Sequence, residues 1–415
     1  MSSCAPLPPI EETKPVVEEK PKEPEIPQAV RDSVIMVRRS FGYERWKNGD
    51  YAAALEHLHV VRNYDVKHEQ NIYRIYADCY FKLQNPDSAL WAYEEGVKYF
   101  PQDDYLHNSL AIMLRNQGRL KDAVTQQEAA VKIKPEEISY LQILKDLYIK
   151  LEDYDHAIET LRRLKELAPD DPGISNELAG MVRTHRDPEE YIKVLQDDVR
   201  KFPDDPGRLL QLANAIFDQG KNQEAGERFE QYTKMHPEDV LGWKGLARCR
   251  DNLSQYEAAI SAHRKVVDLE PGDLNSMITI GQDYLTLKNW VNARTWAKKA
   301  LSLSGDYGPA WLLMGDIYGK AADAGAGETP KFNDKLVFAI GYGLYERAAN
   351  STDPQARSQG DRARQTLKGS ELVPSKEDRF MNQGKKRPSG KAYEWIDLSW
   401  PEVSYIDEYL TKLGN

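Results

Sequence analysis

GWKGLARCRDNLSQYEAAISAHRKVVDLEP, residues 242–271, carries the pattern from which the fold can be read. A large apolar residue, Leu246, precedes the small Ala247; a second small residue, Ala259, follows twelve positions later, and the stretch ends at Pro271. Proline has no N–H and cannot continue a helix, so Pro271 belongs just beyond a helix end. The same proline occurs at Pro101, Pro135, Pro169, Pro203 and Pro237, each 34 residues after the one before. A fixed period of this length marks a helix-turn-helix unit, because one helix pair cannot bury its apolar face alone and must stack on its neighbours.

Taking each proline as position 32 puts unit starts at 70, 104, 138, 172, 206, 240, 274 and 308. Position 8 then reads Ala77, Ala111, Lys145, Ala179, Ala213, Ala247, Gly281 and Gly315, and position 20 reads Ala89, Ala123, Ala157, Tyr191, Ala225, Ala259 and Ala293. Small residues belong where two helices approach to about 8–10 Å. Position 7 supplies the large side chains between them, from Tyr76 and Leu110 to Ile280 and Met314.

On these residues, QNIYRIYADCYFKLQNPDSALWAYEEGVKYFP (70–101), the 242–271 stretch and WLLMGDIYGKA (311–321) resemble tetratricopeptide repeats. A further first unit reads FGYERWKNGDYAAALEHL (41–58), so the array has roughly nine units and the resemblance covers about residues 35–353. It implies an all-α fold, a right-handed superhelical solenoid of helix-turn-helix units whose role is to hold other proteins or extended peptide segments.

The segmentation that follows is a Pro/Glu-rich tether over 1–28, an array over 29–353 with its first unit near 35, a capping helix over 354–371 and an aromatic tail over 372–415. Seven prolines and six glutamates favour extended chain in the tether. In the last unit AADAGAGETPKFNDK (321–335) reads as a loop inserted between the two helices. Tyr191 in a small-residue position, with Gly180 beside Ala179, predicts a local bend in the unit at 172–205. The tail's Phe380, Tyr393, Trp395, Trp400, Tyr405 and Tyr409 either fold back on the array or form a docking surface.

Composition narrows the function. A formal net charge of -10 disfavours nucleic-acid partners. No stretch reaches the roughly 18 apolar residues of a spanning helix. The three cysteines and eight histidines form no metal-spaced cluster. Cys79 and Cys249 stand five full repeats apart, out of reach of one another for a disulfide, and read as small buried filler. Phosphate loops, dinucleotide fingerprints, nucleophile elbows and metalloprotease helices do not occur. The sequence therefore predicts no catalytic residues, no metal and no cofactor. Acidic pairs such as Asp103-Asp104 and Asp204-Asp205 precede first helices and read as helix caps.

Met1-Ser2-Ser3-Cys4 followed by the spacer resembles the start of a mature bacterial lipoprotein, with Cys4 as the lipidated residue, although no hydrophobic signal region precedes it. PSKEDRF (374–380) and GKAYEWIDL (390–398) are similar to the closing segments of repeat proteins of Bacteroidota and related bacteria. That resemblance implies a cell-envelope protein, periplasmic or at the outer membrane, touching a membrane only through Cys4; a cytoplasmic adaptor is the alternative.

The tetratricopeptide resemblance also implies that first-helix positions 2, 5, 9 and 12 line a concave groove. The candidate partner-binding residues there are Arg74, Asp78, Asn108, Arg115, Gln142, Asn176, Arg183, Asn214, Lys244, Arg248 and Gln282, joined by Trp395 and Trp400 of the tail. Side-chain amides recur among them, and each offers a donor and an acceptor to the backbone of an extended peptide. The Lys, Asn and Arg of a carboxylate clamp do not fall in three consecutive units.

Overall fold

The computed structural model describes residues 27–64 and 70–414, and among these there are helices and turns but no strand. The chain divides into two compact units, Met1–Met181 and Val182–Asn415. The first contains α1 (Gln28–Lys47), α2 (Tyr51–Tyr64), α3 (Gln70–Lys82), α4 (Pro86–Tyr99), α5 (Asp104–Asn116), α6 (Leu120–Ile133), α7 (Ile138–Lys150), α8 (Tyr154–Leu167) and the start of α9 (Pro172–His185). The second continues α9 into α10 (Pro188–Lys201), α11 (Pro206–Asp218), α12 (Asn222–Met235), α13 (Val240–Asn252), α14 (Tyr256–Leu269), α15 (Leu274–Thr286) and α16 (Trp290–Leu303). It ends in α17 (Gly308–Gly325), α18 (Phe332–Ala349), α19 (Pro354–Gly369), α20 (Lys376–Met381) and α21 (Ser404–Gly414). Each helix packs on the next from α1 to α8, and again from α10 to α19.

From α3 to α17 the first helix of each pair starts 34 residues after the last. Helix starts are set by aspartate caps: Asp103, Asp205 and Asp273 accept the N–H of Leu106, Arg208 and Ser276 at 3.1, 3.2 and 2.9 Å. Helix ends fall two residues before each periodic proline, as at Tyr99 and Leu269. The crossing positions are tight. Ala77, Ala111, Ala213, Ala247 and their partners Ala89, Ala123, Ala225 and Ala259 are fully buried, and a Cβ on Gly315 would lie 2.5 Å from the Tyr345 ring. Lys145, the exception at position 8, is half-buried and reaches Glu177 at 2.8 Å and Asp146 at 3.1 Å.

Between paired helices the chain turns through one left-handed residue, at Gln84, Gly118, Glu152, Gly220, Ser254 and Lys288, with φ between 55° and 76°. One member of this 34-residue series is missing. At Arg186 there is no such turn, since α9 runs to His185 and only two residues separate it from α10. The division between the compact units falls inside the same helix, at Met181. Cys79 and Cys249 are buried free thiols, and burial pushes them up to about 12 and about 11.

The loop expected over 321–335 is present between the two helices but spans only 326–331. α17 continues to Gly325 with Ala321 and Ala322 buried, and α18 starts at Phe332, its first turn closed by Asp334 accepting the Lys331 N–H at 2.7 Å. The physical reason is the tail, which covers both extended helices: the Tyr393 hydroxyl donates to buried Asp334, and Trp395 lies 5.4 Å from Tyr318, centroid to centroid. Buried Arg294 of α16 pairs with buried Glu402 at 2.8 Å under the Trp400 ring, and Tyr409 meets Tyr342 edge-on at 5.1 Å. Tyr393, Trp395, Trp400, Tyr405 and Tyr409 thus complete the core of the last repeats, whereas Phe380 stays exposed.

Candidate partner-binding groove

The sequence-predicted groove residues fall into three groups. In the first, the side chain is already held by the protein. Arg74 on α3 grips buried Asp103 through two bonds of 2.6 and 3.1 Å and lies over Tyr105. Asp78, one turn on, accepts from the Trp46 indole. Lys244 on α13 sits between Glu270 at 2.6 Å and Asp273 at 2.9 Å. Trp395 and Trp400 belong here as well: offered to a partner by the sequence, they are packed instead against Tyr318 and Arg294.

The second group is held in part. Asn108 is half-buried, and its side-chain oxygen has no hydrogen-bond partner. Asn214 on α11 is exposed and donates to the Leu210 carbonyl at 2.9 Å, leaving its oxygen for a ligand. Arg248 is exposed and stacks on Phe217 at 4.4 Å, with no carboxylate partner among the described residues. The third group is open: Gln142, Asn176, Arg183 and Gln282 are exposed, and Arg115 is half-buried with no ion pair among the described residues.

Within the second unit, Asn214, Lys244 and Arg248 come together on one cleft of about 510 Å³, formed by α11, α13, α14 and α15. Leu210 and Leu241 give it an apolar wall, and Leu241 is 57% exposed. The cleft has a polar floor that the groove positions did not foretell. His263 of α14 bridges Ser276 at 3.1 Å and Asp251 at 2.9 Å. Buried Asp283 lies beside them, and burial, reinforced by the charge of Asp251, raises its carboxyl to about 7. Asp273 goes the other way. Burial alone would raise it, but the Ser276 N–H and Lys244 hold it below the usual carboxylate range. Asp251 occupies position 12 of its unit, so that position's reading would have found it; His263 and Ser276 come from other helices and leave no sequence signal.

Polar amides and one uncommitted guanidinium beside an apolar wall suit an extended peptide, whose backbone offers donors and acceptors and whose side chains fill the wall. Among the described residues no set of three or more His, Cys, Asp or Glu side chains is placed to hold a metal ion, and no helix is long and apolar enough to cross a membrane.

Tetratricopeptide-repeat family models match residues 40–95, 77–138 and 210–273, and a second such model matches 139–171. A "BBSome complex member BBS4 homolog" of Drosophila melanogaster is 23% identical over 289 residues, covering 65% of this chain and 58% of that protein. "Protein KINESIN LIGHT CHAIN-RELATED 2" of Arabidopsis thaliana is 25% identical, covering 53% and 40%. The human "Protein O-mannosyl-transferase TMTC1" is also 25% identical, over 45% of this chain and 22% of that protein. The chain thus spans about half the length, or less, of these curated relatives. Among solved structures, Naa15/Naa10 bound to HypK-THB aligns with TM-score 0.44 at 13% identity over 92% of this chain and 64% of that one. A tetratricopeptide repeat protein from Parabacteroides merdae aligns with TM-score 0.32 at 15% identity over 69% and 99%. The helix pairs that recur every 34 residues are tetratricopeptide repeats, matched as such by the family models over residues 40–171 and 210–273.

Proposed function

We propose that this chain is a non-enzymatic scaffold, an accessory subunit that holds an extended segment of another protein in the groove of its first helices. The observation that carries the reading is the cleft in which Asn214 and Arg248 stand exposed beside Leu210 and Leu241. Two of the relatives above have names that fit a subunit or chain of a larger assembly. The one named a transferase is matched over 22% of its length, so its activity does not transfer. Ser276, His263 and Asp251 form a hydrogen-bonded chain, yet it is ill-suited to acyl transfer. Ser276 is 4% exposed, and the Asp273 carboxylate occupies its backbone N–H, where a developing oxyanion would need donors.

The setting we propose is a bacterial cell envelope, with Cys4 lipidated. What supports it is the Met1–Cys4 and PSKEDRF resemblance alone, and Cys4 lies outside the described residues. Mass spectrometry of the native chain decides between the settings: an acylated Cys4 in the membrane fraction is expected, whereas an unmodified N-terminus in a soluble fraction points to a cytoplasmic adaptor.

Peptide-display selection against the intact chain tests the groove. Selected peptides are expected to lose about tenfold or more in affinity to an Asn214→Ala, Arg248→Glu double variant. Selected peptides that bind the double variant as well as the parent remove the proposal.

A further inference from the structure

The C-terminal tail carries a second recognition feature, on different helices from the groove. Residues 376–391 hold six Lys or Arg against two acidic side chains, in a chain with a net charge of -10. Next to this basic run, Phe380 and Met381 are 69% and 74% exposed at the end of α20. Between α20, the loop after it and α21 lies a concavity of about 830 Å³.

The cations around this concavity divide by what they touch. Arg387 forms a two-pronged pair with Asp407, at 2.7 and 3.1 Å, and Arg379 donates to the Leu410 carbonyl at 2.7 Å. These two join the walls to α21. Lys376, Lys385 and Lys386 line the same space, are exposed, and form no ion pair among the described residues. The carboxylate that lines the concavity is already used, Asp407 by Arg387, and so is Asp378 of α20, by Lys335 of α18 at 2.8 Å and by the Ser375 N–H at 2.9 Å. Phe332, Leu410 and Leu413 contribute apolar lining, with Phe380 at the rim.

The lysines are well solvated; what marks an interaction surface is their placement around one concavity beside two adjacent bare apolar side chains, Phe380 and Met381. Opposite charge selects the ligand, and because the remainder of the chain is acidic and repels it, the basic run is the place where an acidic segment is drawn in. The volume lies within the range of ligand clefts, and a concave site receives a protruding segment, which a flat bilayer surface cannot supply. We infer that this concavity docks an acidic peptide segment of a partner protein, with its carboxylates on Lys376, Lys385 and Lys386 and an apolar side chain against Phe380 and Leu413.

Fluorescence anisotropy of the full chain with a labelled peptide, Gly-Glu-Glu-Leu-Asp-Phe-Glu-Asp, tests this. Saturable binding is expected, weakening about tenfold or more in a Lys385→Glu, Lys386→Glu variant, and falling as salt rises from about 50 to about 500 mM. Both lysines are exposed and form no ion pair among the described residues, so the variant should keep the parent's near-ultraviolet circular dichroism. Phe380→Ser should cost affinity severalfold. The Asn214→Ala, Arg248→Glu variant should bind this peptide as the parent does, which separates this site from the groove. The inference is overturned if the charge-reversed variant binds equally. It is also overturned if inorganic phosphate at matched ionic strength displaces the peptide completely, or if the chain ignores the peptide and instead sediments with anionic phospholipid vesicles or self-associates through Lys385 and Lys386.

Discussion

Replacing Glu402 with glutamine should release the C-terminal tail from the last repeats. Arg294 and Glu402 are each 6% exposed, are joined at 2.8 Å, and have the Trp400 ring 3.5 Å from the guanidinium carbon. Removing one partner of a buried pair leaves a desolvated charge and typically costs about 3–5 kcal/mol. A glutamine carbonyl still accepts one bond, which returns about 1 kcal/mol, so the expected loss is about 2–4 kcal/mol for Glu402→Gln and about 3–5 kcal/mol for Glu402→Ala. The cation over Trp400 is present in parent and variant alike and cancels. Three kcal/mol corresponds to roughly a hundredfold rise in the opening constant. Repeat stability is close to a sum of nearest-neighbour terms, so the change should be local. Hydrogen exchange should therefore accelerate by that factor in α17, α18 and α21, and not in α5 to α8. The double variant Arg294→Met, Glu402→Leu removes both charges and should recover most of the loss. A loss under about 1 kcal/mol for Glu402→Ala, or a double variant no better than the single, refutes the reasoning.

The left-handed turns give a second prediction: Ser254→Gly and Lys288→Gly, at φ 56° and 55°, should each raise stability by about 0.5–1 kcal/mol, read as a higher urea midpoint at unchanged slope. Gly315→Ala, whose new Cβ would meet the Tyr345 ring at 2.5 Å, should cost about 1–3 kcal/mol by the same measurement. Asp283, raised to about 7 by burial and by Asp251, binds its proton in the folded chain over a range where the unfolded chain has lost it. Stability should therefore fall as pH rises from about 4 to about 7, by on the order of a few kcal/mol, and Asp283→Asn should flatten that slope in urea titrations at each pH.

Legibility varied with how local the information was. Ala77, Ala111 and Ala259 could be read as helix crossings because every unit repeats the same requirement, and a period repeated many times stands out from any single departure. Segment 321–335 is a loop only over 326–331, and its ends are helical for the converse reason. Its glycines and proline signal a loop to their neighbours, but whether Ala321 and Lys335 are helical depends on Tyr393 and Trp395, some 60 to 70 residues further along the chain. The turn missing at Arg186 and the two-residue connection to α10 are visible only in the backbone.

The amino-acid sequence by itself determined that this chain is built of stacked helix pairs, where each pair up to α16 starts and stops, and which small residues let the helices touch. All of that depends on short-range chemistry: a proline without an N–H, an aspartate capping a helix, an alanine at a crossing. Only the tertiary structure decided which polar and aromatic side chains remain for a partner. Arg74 and Lys244 hold the same position in their units as Asn108 and Asn176, but the first two are occupied by Asp103 and by Glu270 and Asp273. Trp400 lies under Arg294, which Glu402 pairs with from 108 residues away. Availability is a property of what neighbouring repeats and the returning tail bring into contact, and those partners are distant in the chain and outside the repeat's period.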